Sequence, residues 1–363
     1  MKILVAYASA GAGHRKCAEA ISDFLNQETT YHVSLVDCLD YSHQIFKFLY
    51  SRGYACLISH FPLLWCAFFR LTDNHIFFLV TNRLRQLIDS LNSRRFISYL
   101  KKERFDYCVC TQFLANGIIA RLKSRDQISA KLICVITDYK VHHFWLAEGV
   151  DVYAVACRET KQRLLQLGVA AEKIKVTGIP VNTKFLHQPD KQQLIEKLGL
   201  RQERFTILLL TGTFGIGSLQ KIAEELQDRF QVLVVCGNNQ TLFKKLSRFG
   251  RENVRVYGLI DNVEELMSVS DLVITKPGGL TISEALAKHL PIVFIAAIPG
   301  QEIENARLMV SYHLALLVRD RKSLKNIIRG LATDRHRLAY MKANTWRLSK
   351  PFALREILKL ING

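Results

Sequence analysis

Leu272-Val273-Ile274-Thr275-Lys276-Pro277-Gly278-Gly279-Leu280-Thr281-Ile282-Ser283-Glu284-Ala285-Leu286 reads as strand, glycine turn and helix start, with Thr281 or Ser283 as the cap. The strand portion is an unbroken apolar run, which suits a parallel strand covered by helices on both faces. The same unit recurs along the chain. Strands are expected at Lys2–Tyr7, His32–Asp37, Tyr107–Thr111, Lys131–Thr137, Val152–Ala156, Lys175–Thr177, Thr206–Leu210, Gln231–Cys236, Val254–Tyr257, Leu272–Thr275 and Ile292–Ile295. Helical patterns intervene, among them Arg15–Leu25, Arg158–Leu167, Gln220–Asp228 and Ser283–Lys288. Repeated β–α units imply an α/β fold with doubly wound sheets.

The series restarts once. After Ile179-Pro180-Val181 a polar stretch runs to Arg204, and Phe205–Leu210 with Gly212 then reads as a second opening strand with its own glycine turn. A boundary near residue 183 divides the 363 residues into two domains of ordinary size.

Hydrophobic residues make up 49% and charged residues 23%, which excludes a disordered chain. The formal charge of +18 calls for an anionic partner: nucleic acid, an anionic membrane or a phosphorylated small molecule. The basic residues mix with large aliphatics and no RNA or DNA motif accompanies them, which argues against nucleic acid. The nine cysteines form no CxxC pair and read as reduced thiols of a cytoplasmic protein, with Cys108 and Cys110 expected on opposite faces of their strand. Lys2–Tyr7 is too brief for a signal peptide's apolar region. Gly53–Phe69 is the best candidate span, but it contains His60 and Pro62 and falls short of the roughly 20 apolar residues a spanning helix needs. From Tyr41 to Arg104 no strand is expected. Aromatic and basic residues interleave there, including Trp65, Phe68, Phe69 and Arg70.

Four turns at strand ends carry candidate chemistry. Ala8-Ser9-Ala10-Gly11-Ala12-Gly13-His14 runs from the first strand into a helix, placing an imidazole where open α/β sheets bind ligands. Thr211 to Ser218, with Gly212, Gly215 and Gly217, can cradle a phosphate, although no Gly-Lys-Ser/Thr follows to make it a Walker loop. The turn at Gly278 and Gly279 offers N–H groups to a diphosphate, with Glu284 one turn on to accept two hydroxyl hydrogens of a ribose. Pro299-Gly300-Gln301-Glu302 with Asn305 suits sugar hydroxyls. Each turn also has a plainer reading as an ordinary βα connection, and Glu284 as a solvent-facing residue placed for the helix dipole.

Together these turns resemble the monogalactosyldiacylglycerol synthase and diacylglycerol glucosyltransferase family, which is related to the peptidoglycan GlcNAc transferase. The matching pieces are Gly11-Ala12-Gly13-His14, Val135-Ile136-Thr137-Asp138-Tyr139 with His142, His143 and Trp145, Val176-Thr177-Gly178-Ile179-Pro180-Val181, the 212–217 loop, Lys276 to Ala285, and Pro299-Gly300-Gln301-Glu302. They span nearly the whole chain in order, although Ala10 and Ala12 interrupt what is often a glycine triplet.

The resemblance implies a GT-B glycosyltransferase fold of two facing Rossmann-like domains with a cleft between them. Residues 1–182 form the acceptor and membrane-docking domain, with helix 351–363 returning to it, and 183–350 bind the UDP-sugar. The implied reaction is an inverting, metal-free displacement that moves glucose or galactose from a UDP-sugar to diacylglycerol at the cytoplasmic face of a membrane. His14 is the expected base, with Asp138 its helper or the base itself. Gly212, Gly215, Gly217, Gly278, Gly279, Leu280 and Thr281 face the diphosphate, Glu284 the ribose, and Gly258 to Ile260 the uracil. Gln301, Glu302 and Asn305 face the hexose. Gly13, His142 and Trp145 face the acceptor, while Trp65, Phe68, Phe69 and Arg70 face the membrane. No permanently bound cofactor is expected. The rival readings are a UDP-GlcNAc transferase acting on a polyprenyl-linked acceptor, a UDP-sugar epimerase, an inactive sugar-nucleotide sensor and a basic nucleic-acid-binding protein.

Overall fold

The computed structural model describes residues 1–53, 56–57, 60–210, 219–248, 252–295, 297, 300–318 and 320–363. Their packing divides into two compact units. One comprises Met1–Thr183, Pro299–Gln301 and Lys350–Gly363; the other comprises Lys184–Ile298 and Glu302–Ser349.

The first unit holds strands β1 (Lys2–Tyr7), β2 (His32–Asp37), β3 (Tyr107–Cys110), β4 (Lys131–Val135), β5 (Val152–Val155) and β6 (Ile174–Val176). They form a parallel sheet in the order β2-β1-β3-β4-β5-β6. The chain winds outward in both directions from β1 and β3, so the crevice at their C-terminal ends is the topological switch point of the sheet. Burial of β3 and β4 on both faces accounts for their unbroken apolar sequence. Cys108 and Cys110 lie in one core cluster and therefore share a face, contrary to the expectation above. Side chains alternate with period two, so positions i and i+2 coincide. Burial pushes the Cys108 thiol up to about 12 and also raises Cys110 well above its ordinary value, helped by the thiols of Cys108, Cys134 and Cys38.

Between β2 and β3 the chain is helical among the described residues, over Gln44–Phe48, Pro62–Thr72, His75–Asn92 and Arg94–Glu103. The final helix, Ala353–Asn362, packs on the first, Ala12–Glu28, and buries Leu354, Ile357 and Ile361. Gly178 fixes the approach of that C-terminal segment. Its φ is +89°, and a Cβ there would lie 2.3 Å from the Cβ of Lys350.

The second unit holds β7 (Thr206–Leu210), β8 (Gln231–Val235), β9 (Val254–Tyr257), β10 (Leu272–Thr275), β11 (Ile292–Phe294) and β12 (Ala315–Leu317). They form a second parallel sheet, β12-β11-β10-β7-β8-β9, with its switch point between β7 and β10. Strand β12 was not anticipated. It is a three-residue edge strand entered through His313 at φ +56°, too short to show a period. Among the described residues no helix is long and apolar enough to cross a membrane.

Candidate active site

At the switch point of the first sheet, the loop after β1 meets the end of β3. Gly11, at φ +123°, supplies the sharp bend into the helix Ala12–Glu28, so Ala10 and Ala12 keep ordinary φ values despite replacing glycines. His14, on the first turn, is thereby held against Thr111. Its Nδ1 lies 2.9 Å from the Thr111 carbonyl oxygen and 2.8 Å from Thr137 Oγ1, while Thr111 Oγ1 donates to the His14 carbonyl at 2.9 Å. A carbonyl only accepts, so Nδ1 carries the hydrogen and Nε2 keeps a lone pair. Desolvation pulls the imidazole pKa down to about 4, partly opposed by the Thr111 hydrogen bond. At neutral pH the ring is uncharged and Nε2 can take a proton.

His14 and Asp138, the latter at the C-terminal end of β4 and buried, line one cavity of about 410 Å³. Trp65, Phe68, Phe69, His142 and Trp145 line it too, so most residues expected on the acceptor and membrane side are brought together. The Trp145 ring centroid is 6.1 Å from that of His14. Gly13 and the exposed Arg70 are not on the cavity wall.

His142 is committed through both nitrogens. Nε2 donates to the Phe69 carbonyl at 3.0 Å, and Nδ1 accepts from the Phe144 N–H at 3.1 Å. It meets the cavity by its ring, packed between Phe69 and Phe144 at centroid distances of 4.3 and 4.4 Å. Burial lowers its pKa to about 4, offset in part by the Phe69 carbonyl. Asp73 braces the same turn, accepting from the His143 backbone N–H, His143 Nδ1 and Arg163 Nη2 at 3.2, 2.9 and 3.1 Å.

Trp65 and Phe69 are half-buried, whereas Phe68 is exposed. The bare apolar surface of this region includes Phe61, Leu63, Leu64, Phe68 and Leu71, and Phe77, Leu84, Leu87, Ile88 and Leu91 of the next helix. The stripe Leu84, Leu87, Ile88 and Leu91, spaced i, i+3, i+4, i+7, is legible in the sequence as an amphipathic face. Arg85, Gln112, Phe113 and Phe144 also line the cavity and were missed. Gln112 and Phe113 follow directly on β3, so their place at a strand end was a usable signal. Gln112 caps the helix Phe113–Lys123, accepting from the Leu114 N–H at 2.6 Å, and donates to the Tyr50 hydroxyl at 3.0 Å.

In the second unit the helix after β10 begins earlier than expected. It spans Gly279–Ala287, with Gly278 at the N-cap and no side-chain cap. Thr281 and Ser283 are therefore helical residues and not caps; Ser283 Oγ donates back to the Gly279 carbonyl at 2.9 Å. An N-terminus without a side-chain cap presents its positive end to an anion. Glu284 is buried within this helix, which removes its reading as a solvent-facing dipole partner.

Glu302 and Asn305 come from the helix Gln301–Ser311. Glu302 pairs with Lys276 at 2.7 Å, and Asn305 Nδ2 donates to the Pro277 carbonyl at 3.2 Å. Both thus hold the turn that contains Gly278. Lys276 belongs with this group. Gln301 opens that helix but belongs to the first unit and lines the His14 cavity, while Gly258 and Ile260 after β9 are half-buried. Leu280 is buried and Thr281 half-buried. Gly212, Gly215 and Gly217 lie outside the described residues.

Comparison with known proteins follows the same division. Residues 14–181 match the family Monogalactosyldiacylglycerol (MGDG) synthase, and residues 206–359 match the Glycosyltransferase family 28 C-terminal domain. The chain is 28% identical over 370 residues to the processive diacylglycerol beta-glucosyltransferase of Bacillus cytotoxicus, covering 99% of this chain and 93% of that protein. Among solved structures it is similar to Acinetobacter baumannii MurG, with a TM-score of 0.60 at 16% identity over 99% of both chains. It is also similar to Anabaena HepE in complex with UDP-glucose, with a TM-score of 0.58 at 16% identity over 100% of this chain and 99% of that one. The fold is GT-B.

Proposed function

Because the chain belongs to the monogalactosyldiacylglycerol synthase and processive diacylglycerol glucosyltransferase family, we propose that it moves a hexose from a UDP-sugar to the free hydroxyl of diacylglycerol. The carrying observation is His14: a neutral imidazole, pinned through Nδ1 and with Nε2 available, on the wall of a largely aromatic cavity. An alcohol is a poor nucleophile, and a base that accepts its proton as the new bond forms contributes about 10²–10⁴ in rate. The acceptor hydroxyl attacks the anomeric carbon, the bond to the UDP oxygen breaks, and the proton passes to His14 Nε2. Inversion follows from a single displacement. Asp138, a carboxylate on the same cavity wall, stabilises the imidazolium as it forms.

The donor's diphosphate sits at the N-terminus of Gly279–Ala287, where backbone N–H groups meet the negative charge that develops on the leaving group. Glu284 holds the ribose and Gln301 the hexose, with the Lys276–Glu302 pair at the edge of the same turn. UDP-glucose bound to a protein of the same fold supports this assignment of the donor.

The exposed leucines of Pro62–Thr72 and His75–Asn92, flanked by Arg70, Arg94 and Arg95, dock the first unit on an anionic leaflet. Each basic residue contributes about 1 kcal/mol near such a surface. Incubation with labelled UDP-glucose or UDP-galactose and diacylglycerol vesicles, followed by lipid extraction, tests the reading. Label in a monoglycosyldiacylglycerol supports it. Label that remains entirely water-soluble with both donors refutes it.

A further inference from the structure

Arg85 stands on the helix His75–Asn92 and lines the cavity that holds His14. Its guanidinium carbon lies 4.8 Å from the Phe144 ring centroid, and Nη2 donates to Asn82 Oδ1 at 3.0 Å. Nε and Nη1 are buried and make no hydrogen bond. A guanidinium carries five N–H groups and cannot satisfy them by losing its charge. Buried donors left unpaired are costly and rare, so an arginine with two empty nitrogens at a cavity wall points to an oxygen that a ligand brings.

The surroundings select which oxygen. Phe68, Phe69, Phe113 and Phe144 make the neighbouring wall apolar, and the carboxylate of Asp89 already acts on the Arg85 charge. With the Asp89 carboxylate already acting on the guanidinium, a phosphate would set a second anion beside it, whereas a carbonyl oxygen brings lone pairs without charge. The acceptor of the proposed reaction has two such oxygens, in the esters beside its free hydroxyl.

We propose that Arg85 binds an ester carbonyl of the glycerolipid acceptor through its unpaired Nε and Nη1 N–H groups, positions the free hydroxyl for His14, and makes the enzyme selective for acyl over alkyl glycerolipids. This rests on the reading that diacylglycerol is the acceptor. Arg85 is thus a positioning residue that discriminates by linkage, not by chain length.

The test compares initial rates on 1,2-diacylglycerol and on 1,2-dialkylglycerol of matched chain length, each in vesicles of phosphatidylcholine with phosphatidylglycerol, which supply the anionic surface. An ether lacks the carbonyl oxygen and otherwise keeps the shape. The wild type should favour the ester by about ten- to a hundredfold, the range for a hydrogen bond to a charged group. Arg85→Met should bring the ratio close to one, and Arg85→Lys should retain part of it. Equal wild-type rates on the two lipids would overturn the inference without any variant being needed. A wild-type-like ratio in folded Arg85→Met would overturn it as well, since a merely structural arginine would lower both rates together. Failure of the wild type to glycosylate either lipid would instead sink the proposed function, and this inference with it.

Discussion

Acidification isolates the protonation of His14. In water a histidine titrates near 6.5, but burial holds this one at about 4. At pH 5.5 the ring is then about 97% neutral, against about 9% for an unshifted histidine. Protonating it in place costs at most about 3 kcal/mol more than protonating it in water. The acid limb of kcat/KM, which reports groups of the free enzyme, should therefore fall near pH 4 with little loss at pH 5.5. That limb should persist in Asp138→Asn and vanish with the activity in His14→Gln. Carbon-13 labelling of the histidine rings gives a second readout: the His14 signal, assigned by its absence in His14→Gln, should stay at the neutral position down to about pH 5. An acid limb centred near 6.5, or a His14 ring that titrates there, would refute the claim that a desolvated neutral imidazole is the base.

The same burial has a stability consequence at His142, whose pKa is also lowered to about 4. Below 6.5 the unfolded chain binds the proton more readily, so stability is intact above 6.5 and falls toward pH 4 by up to about 3 kcal/mol, measurable as a drop in urea midpoint; a flat midpoint from pH 7 to 5 would contradict it. Glu284→Ala should weaken UDP-sugar binding about tenfold or more by calorimetry, the range for a lost charged hydrogen bond, and unchanged affinity would remove Glu284 from the donor site. Gly178→Ala forces a β-carbon into Lys350 at a positive φ and should cost about 2 kcal/mol or more in denaturant unfolding; a wild-type midpoint would mean the C-terminal segment shifts freely. Leu87→Asp with Ile88→Asp changes two exposed residues, so the fold should keep its stability while flotation with anionic vesicles falls more than tenfold; full flotation would place the membrane face elsewhere.

Much of the fold was written in local pattern. Doubly buried parallel strands such as Tyr107–Cys110 and Thr206–Leu210 announce themselves as unbroken apolar runs, and the glycines behind β1 and β10 mark turns at strand ends. Local pattern misleads where signals compete or vanish. Thr281 and Ser283 look like caps, but the helix begins before them with Gly278 at the N-cap. Ala315–Leu317 is too short to show its period. His14 and Asp138 were visible because strand ends converge on a switch point. Their hydrogen-bonding context was not, since Thr111 approaches His14 from 97 positions away. Arg85 lies within a helix rich in exposed leucines, and only packing against Phe144 sets it apart from Arg94 or Arg95.

The most direct measurement is the turnover of His14→Ala with labelled UDP-hexose and diacylglycerol vesicles, both saturating, alongside its affinity for UDP. A proton acceptor that does not hold the donor predicts a fall in kcat of about 10²–10⁴ with UDP affinity nearly unchanged. Turnover close to that of the wild type, or loss of UDP binding in place of turnover, would contradict it.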